Sequence, residues 1–179
     1  LGLLGCAACG APPDPAGLDE GDAPVAAASA SLRVGSGERA ARIERDGYGV
    51  PHVYADHMKG VWFGAGYAQA QDRLVQLELV RRNVEGTLAE IFGPSQLDHD
   101  RSIRTFFYTR DEVAAQLAAL SPAHREELVA YAEGVNAYLR RAYATPASQQ
   151  ALVPREFFVL GQLAGLPGPY RPADWDPVR

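Results

Sequence analysis

The sequence predicts an α+β fold, a mostly helical segment opened by a β-hairpin. Three observations carry this. Alternating apolar and polar residues flank an Asp-Gly turn over residues 42–54. A helical apolar period follows over residues 58–92. A Ser-Pro pair at residue 121 then starts a second long helix.

The hairpin lies in ARIERDGYGVPHVYAD. Ile43 precedes a turn at Asp46-Gly47-Tyr48-Gly49, and Val50, His52 and Tyr54 alternate after it. Asp-Gly favours a turn because glycine tolerates positive φ. Pro51 has no N–H to give to a ladder, so it belongs at a sheet edge or a bulge.

In the first helix, Tyr67, Ala70, Leu74, Leu77, Val84, Leu88 and Ile91 share one stripe of 3.6-residue period. Ala68, Val75, Leu79 and Val80 form a second apolar strip beside it. Gly86 breaks or bends the run, and Gly93-Pro94 ends it. Glu78–Arg82 and Arg81–Glu85 sit at the four-residue spacing of helical ion pairs. A polar belt of Gln69, Gln71, Asp72 and Arg73 interrupts the apolar pattern. Apolar residues flank it on two faces, so Asp72 and Arg73 are expected to form a structural polar core. The bland alternative is a solvated surface pair of little energetic weight. Buried charges would need partners, from the backbone or from another layer of a larger protein.

Two short helical pieces are expected over residues 100–119. Ser121 is a good N-cap, and Pro122 at the first helical position loses no needed hydrogen bond. Leu128, Tyr131, Ala132, Val135, Tyr138 and Leu139 form the stripe of this helix, which should end near Tyr143, before Thr145-Pro146. The tail places Phe157, Phe158 and Leu160 as apolar anchors among Pro and Gly, with no closing helix expected. The pattern is still running at Asp174-Trp175, and the polypeptide is expected to continue past Arg179.

At 179 residues the chain is long enough for one domain with a core. Its net charge of −5 argues against a nucleic-acid partner, which needs a concentrated basic face. No window is long and apolar enough to span a membrane. Residues 1–9 read as a signal or lipobox remnant, with Leu3-Leu4-Gly5-Cys6 placing a lipid-attachment candidate at Cys6. An ordinary signal remnant with incidental cysteines is the alternative. Either reading implies export, to the periplasm or to a lipid anchor facing the cell exterior. Residues 10–40, rich in Ala, Gly, Pro and Ser with early acidic residues, read as a disordered linker.

A self-contained active site is not found. Cys6 and Cys9, the two cysteines, lie in the leader, so a cysteine zinc site in the folded part is excluded. Ser36 lacks the spacing of a nucleophile elbow, and no phosphate-binding glycine motif occurs. Leu97-Asp98-His99-Asp100 suggests metal ligation, but side chains at adjacent positions diverge, and a solvated loop between helices is the preferred reading. No catalytic, cofactor-binding or metal residue is assigned in this chain.

The strings RDGYGVPHVYAD and GAGYAQAQDRLVQLELVRRNVEGTLAEIFG, in this order, resemble the start of the α chain of penicillin acylases (penicillin amidases). LAALSPAHREELVAYAEGVNAYL and PREFFVLGQLAGLPGPYRPADWDP are similar to the family's next helix and its Trp-x-Pro segment. The resemblance covers residues 41–179 and implies an incomplete α-chain portion of an αββα N-terminal nucleophile hydrolase. It further implies a zymogen that cuts itself into α and β chains. The new N-terminal Ser of the β chain would be the nucleophile, with its own α-amine as base. The implied activity is hydrolysis of the acyl side chain of a β-lactam antibiotic or a related N-acyl compound. The helix string is closer to the penicillin-acylase branch than to the lactone acylases. The resemblance also implies calcium in the full enzyme, with ligands beyond this segment, a β chain from the same precursor as partner, and a small-molecule N-acyl substrate. Asp72→Ala is expected to impair folding or self-cleavage rather than the chemical step. The rival reading is a non-catalytic helical lipoprotein, a binding or scaffold module tethered at Cys6.

Overall fold

The structure, a computed structural model, describes residues 29–163 and 165–177. Cys6, Cys9 and the leader lie outside the described residues.

Three antiparallel strands form the sheet in the order β1 (Ser29–Val34), β2 (Ala41–Arg45), β3 (Pro51–Tyr54). The expected hairpin is β2–β3, with Ile43 opposite Val53 and Arg45 opposite Pro51. Pro51 thus closes the ladder on an edge strand, where a missing donor costs least. Residues 29–40, assigned to a disordered linker by composition, instead contain β1 and a short 3-10 turn at Gly37–Arg39. Composition misses β1 because its pairing partners, Ile43 and Ala41 opposite Leu32 and Val34, lie on the next strand. The turn also differs in detail: the positive φ falls at Gly49 (+81°), not Gly47. The Asp46 carboxylate makes this possible by accepting the Tyr48 and Val50 N–H groups, both at 2.9 Å.

Helix α1 (Met58–Glu85) lies against the sheet and crosses α5 (Pro122–Ala142). Glycines set both approaches. A Cβ on Gly64 would stand 2.5 Å from Val53 and 2.9 Å from Ala41. A Cβ on Gly66 would stand 2.1 Å from the Tyr131 carbonyl oxygen. Between these contacts lies the core of Ile43, Tyr67, Ala70, Leu74, Val135, Leu139 and Phe157. Tyr67 and Tyr138 meet edge to face at 5.5 Å.

The α1 stripe departs from its expected course at Arg73, whose φ of −135° and ψ of 28° interrupt the helix. Tyr67 and Ala70 before the kink, and Leu74 directly after it, are buried as expected. Beyond it the buried positions become Glu78, Arg81 and Arg82, while Val80 and Val84 face outward. Gly86 ends the helix at φ 63°, and the Thr87 N–H returns to the Arg82 carbonyl at 2.9 Å. A separate short helix, α2 (Ala89–Phe92), follows.

Next come α3 (Leu97–Phe106) and α4 (Arg110–Ala119), the two expected pieces. Asp98–Asp100 is therefore the first turn of a helix, not a loop. Ser121 caps α5 as predicted by accepting the His124 N–H at 3.2 Å. Leu128, placed on the buried stripe of α5, is exposed instead. The tail contains two helices not foreseen, α6 (Pro146–Leu152) and α7 (Arg155–Leu163). A Thr145–Ser148 capping box starts α6. The final segment folds back on α5, where Asn136 exchanges two hydrogen bonds with the Trp175 backbone at 2.7 and 2.8 Å.

Candidate functional site: a buried charge network

Three successive features of α1 build the site. The helix places Glu78, Arg81 and Arg82 on one inward face, at the three- and four-residue spacings that bring side chains together. Glu78 is 1% exposed. Its carboxylate accepts from the Arg81 Nε at 3.0 Å and Nη2 at 2.7 Å, and from the Arg82 Nε at 2.7 Å. Tyr170, brought in by the tail, donates its hydroxyl to Glu78 Oε1 at 2.7 Å and accepts from Arg82 Nη2 at 2.7 Å.

The outer shell completes the pairing. Arg81 also donates to Glu85 at 2.9 Å. Arg82 Nη1 donates to Glu90 at 2.8 Å and to the Thr87 carbonyl at 3.0 Å. Burial alone would lower the Arg82 pKa, but hydrogen bonds to Tyr170, Glu90 and Glu78 outweigh it and raise the pKa above the ordinary value. Burial raises the Tyr170 pKa; the contact with Arg82 opposes this and that with Glu78 adds to it. Tyr170 thereby stays a neutral donor.

A second acid fixes the α1–α2 junction. Asp100, 6% exposed, accepts the Leu88 and Ala89 N–H groups at 3.0 and 2.8 Å. One turn on, Arg104 donates to the Gly86 carbonyl at 2.9 Å. Helix α3 thus ties off the groups that the end of α1 and the start of α2 leave unpaired.

Asp72 and Arg73 are not the buried polar centre of this chain. Asp72 sits at the rim, its side chain 34% exposed, and binds Arg45 through both oxygens at 2.7 and 3.0 Å. Arg45 also holds the Gly49 carbonyl at 2.8 Å and Gln71 at 3.1 Å. This half of the polar belt clamps the hairpin turn to α1. Arg73 is exposed at the kink and does not join that clamp. Sequence reasoning found the Glu78–Arg82 and Arg81–Glu85 spacings but not their burial. Tyr170 and Asp100 gave no local signal, since their partners are remote in the chain.

Glu78 is fully engaged by Arg81, Arg82 and Tyr170, whereas Glu85 uses Oε2 on Arg81 and its buried Oε1 has no hydrogen-bond partner among the described residues. Asp46 and His52 lie 3.2 Å apart on the hairpin, but no hydroxyl bonds to His52 among the described residues. No cluster of three or more His, Cys, Asp or Glu side chains capable of holding a metal ion occurs among the described residues. Among these residues no helix is long and apolar enough to cross a membrane.

A kinked helix crossed by a second one, seated on a small antiparallel sheet and pinned by buried charges, defines a mostly helical α+β chain. The particular family follows from the sequence: the penicillin amidase profile matches residues 40–179, and the chain belongs to that family. It is 38% identical to penicillin G acylase of Escherichia coli over 136 residues, 76% of this chain and 15% of that protein. It is 31% identical to the penicillin acylase 2 proenzyme of Pseudomonas sp. (strain SE83), over 83% of this chain and 17% of that protein. Among solved structures, a thermostable penicillin G acylase from Alcaligenes faecalis superposes with a TM-score of 0.66 at 32% identity. That match covers 84% of this chain and 68% of the other. The chain thus spans 15–17% of the length of these two curated relatives.

Proposed function

We propose that this chain is the non-nucleophile α portion of an acylase precursor. The whole enzyme would hydrolyse the acyl side-chain amide of a β-lactam or a related N-acyl compound. Water adds across the C–N bond, giving a carboxylic acid and a free amine. The observation that carries this is the family match over residues 40–179, which contains the whole buried network of Glu78, Arg81, Arg82 and Tyr170. The rival reading, a non-catalytic lipoprotein, has no comparable support.

In this reading the full protein has the αββα architecture of N-terminal nucleophile hydrolases. The nucleophilic Ser and its α-amine belong to the β chain of the same precursor. This chain's part is to hold a rigid scaffold under that chemistry, since catalytic geometry depends on supporting layers. Calcium, if carried by the full enzyme, is assigned to residues outside this chain, and no step here is routed through it. We further propose export, with Cys6 as a lipid attachment point in a membrane-anchored form.

The test is expression of the complete coding sequence and incubation with penicillin G, a cephalosporin and an N-acyl-homoserine lactone. Release of free amine from at least one is expected. Absence of amide hydrolysis from all three, in a protein that has processed itself, would overturn the assignment.

A further inference from the structure

We propose that the Asp46–His52 pair is a pH-sensitive latch on the β2–β3 turn, tightened when His52 is protonated and relaxed when it is neutral. Through Arg45 the latch reaches α1 beside its kink. The device is carried by side chains of this chain and does not depend on the acylase reading.

The Asp46 carboxylate is the hub of the turn. Its Oδ1 accepts the Tyr48 and Val50 N–H groups, and its Oδ2 meets His52 Nε2 at 3.2 Å. The Asp46 backbone closes the same loop: its carbonyl accepts the Gly49 N–H at 3.0 Å, and its N–H donates to the Val50 carbonyl at 3.2 Å. The His52 side chain is 48% exposed and exchanges protons with solvent, whereas that of Asp46 is 22% exposed. Arg45 ties this turn to α1. Its Nη1 donates to the Gly49 carbonyl and to Asp72, and its Nη2 donates to the other Asp72 oxygen. Asp72 directly precedes Arg73, where α1 kinks. A looser turn moves the Gly49 carbonyl and so weakens the grip of the Arg45 guanidinium on α1.

Imidazole is the side chain that changes charge between about pH 5 and 8. Protonated His52 donates from Nε2 to an ionised carboxylate, and charge-assisted bonds are roughly twice as strong as neutral ones. Neutral His52 keeps the bond only as the Nε2–H tautomer, without the charge attraction. The His52 contact, and after it the Val50 N–H, holds the Asp46 carboxyl below its usual range, so the acid stays ionised while the imidazole gains its proton. The added tightness is therefore complete on the acid side of the histidine range and lost as pH rises through it. Other charges near the pair are already engaged. Glu44 stands opposite His52 on β2 and is bound by Arg42, whose guanidinium lies 4.5 Å over the Tyr54 ring. Strand β1 adds Arg33, opposite Arg42. From α1 come Asp72, taken up by Arg45, and Arg73, which is exposed. Asp46 is thus the acid whose pairing changes when His52 gains a proton.

Amide hydrogen exchange of the full-length protein, read by mass spectrometry at single residues and corrected for the intrinsic rate, tests this at about pH 5 and about pH 8. Protection at Tyr48 and Val50 is expected to be about threefold higher at the acid pH, the scale of a half-exposed ion pair. Equal protection at the two pH values would overturn the latch. Protection around Arg73 is expected to move the same way by about twofold, and a constant value there would overturn the link to α1. H52Q keeps a donor for Asp46 but does not titrate, so the pH dependence should vanish; its persistence in H52Q sinks the proposal. D46N keeps an acceptor for the two backbone N–H groups without the charge, and the same loss is expected. E44Q, and H99Q on α3, should leave the pH dependence intact. Its loss in E44Q would assign the effect to the other acid and overturn the Asp46–His52 pairing. If D46N does not fold, H52Q, changed at a half-exposed side chain, still decides the question.

Discussion

Gly134 on α5 rests directly against the carbonyl of Phe63 on α1: a Cβ there would lie 2.0 Å from that oxygen. With Gly66 against Tyr131, this makes the helix crossing a backbone-to-backbone contact rather than a side-chain one. Gly134→Ala must push the helices apart. The expected cost is about 1–3 kcal/mol, as for overpacked cores. Thermal unfolding of the full-length protein checks it, with Gly168→Ala, at an open position, as the neutral control.

Glu78 and Asp72 separate burial from exposure. Glu78→Ala leaves two buried guanidinium groups and the Tyr170 hydroxyl short of an acceptor, and should cost about 3–5 kcal/mol. Asp72→Ala breaks a rim pair with Arg45 and should cost about 0–1 kcal/mol. Denaturant titration of both variants in the full-length protein ranks them. Similar losses would show that Asp72 is buried by polypeptide outside this chain.

Asp100→Ala removes the acceptor for two backbone N–H groups. A loss of about 1–3 kcal/mol is expected for donors left without a partner. Amide hydrogen exchange at Leu88 and Ala89 should quicken selectively, while that at Tyr67 and Leu74 stays slow.

The interior tyrosines fix the alkaline limit. Burial pushes the Tyr138, Tyr143 and Tyr170 pKa values above the ordinary 10.0. A raised folded-state pKa gives stability that is complete below the unfolded value and lost as pH rises through the folded one. Stability should therefore be level up to about pH 10 and fall above it. Phenolate absorbance should lag behind that of the unfolded chain. Coincident titration of the folded and unfolded protein would contradict the burial of these hydroxyls.

Local chemistry made the hairpin, the first long helix, the paired short helices and the Ser121-capped helix readable from residues alone. Each rests on neighbours a few positions apart: Asp46 on its own turn, Gly86 on the turn before it, Ser121 on His124. The strand Ser29–Val34 and the two tail helices were not readable, because the strand is stabilised by pairing with Ala41–Arg45 and the helices by packing and caps hidden in a Pro- and Gly-rich string. The buried charges show the same division. The spacing of Glu78 and Arg82 announces an ion pair wherever it sits. That the pair is enclosed while Asp72 stays at the rim depends on the kink at Arg73 and on Tyr170 arriving from the far end of the chain. Contacts between residues distant in sequence leave no periodic trace, so burial at these positions emerges only when the helices and tail are packed together.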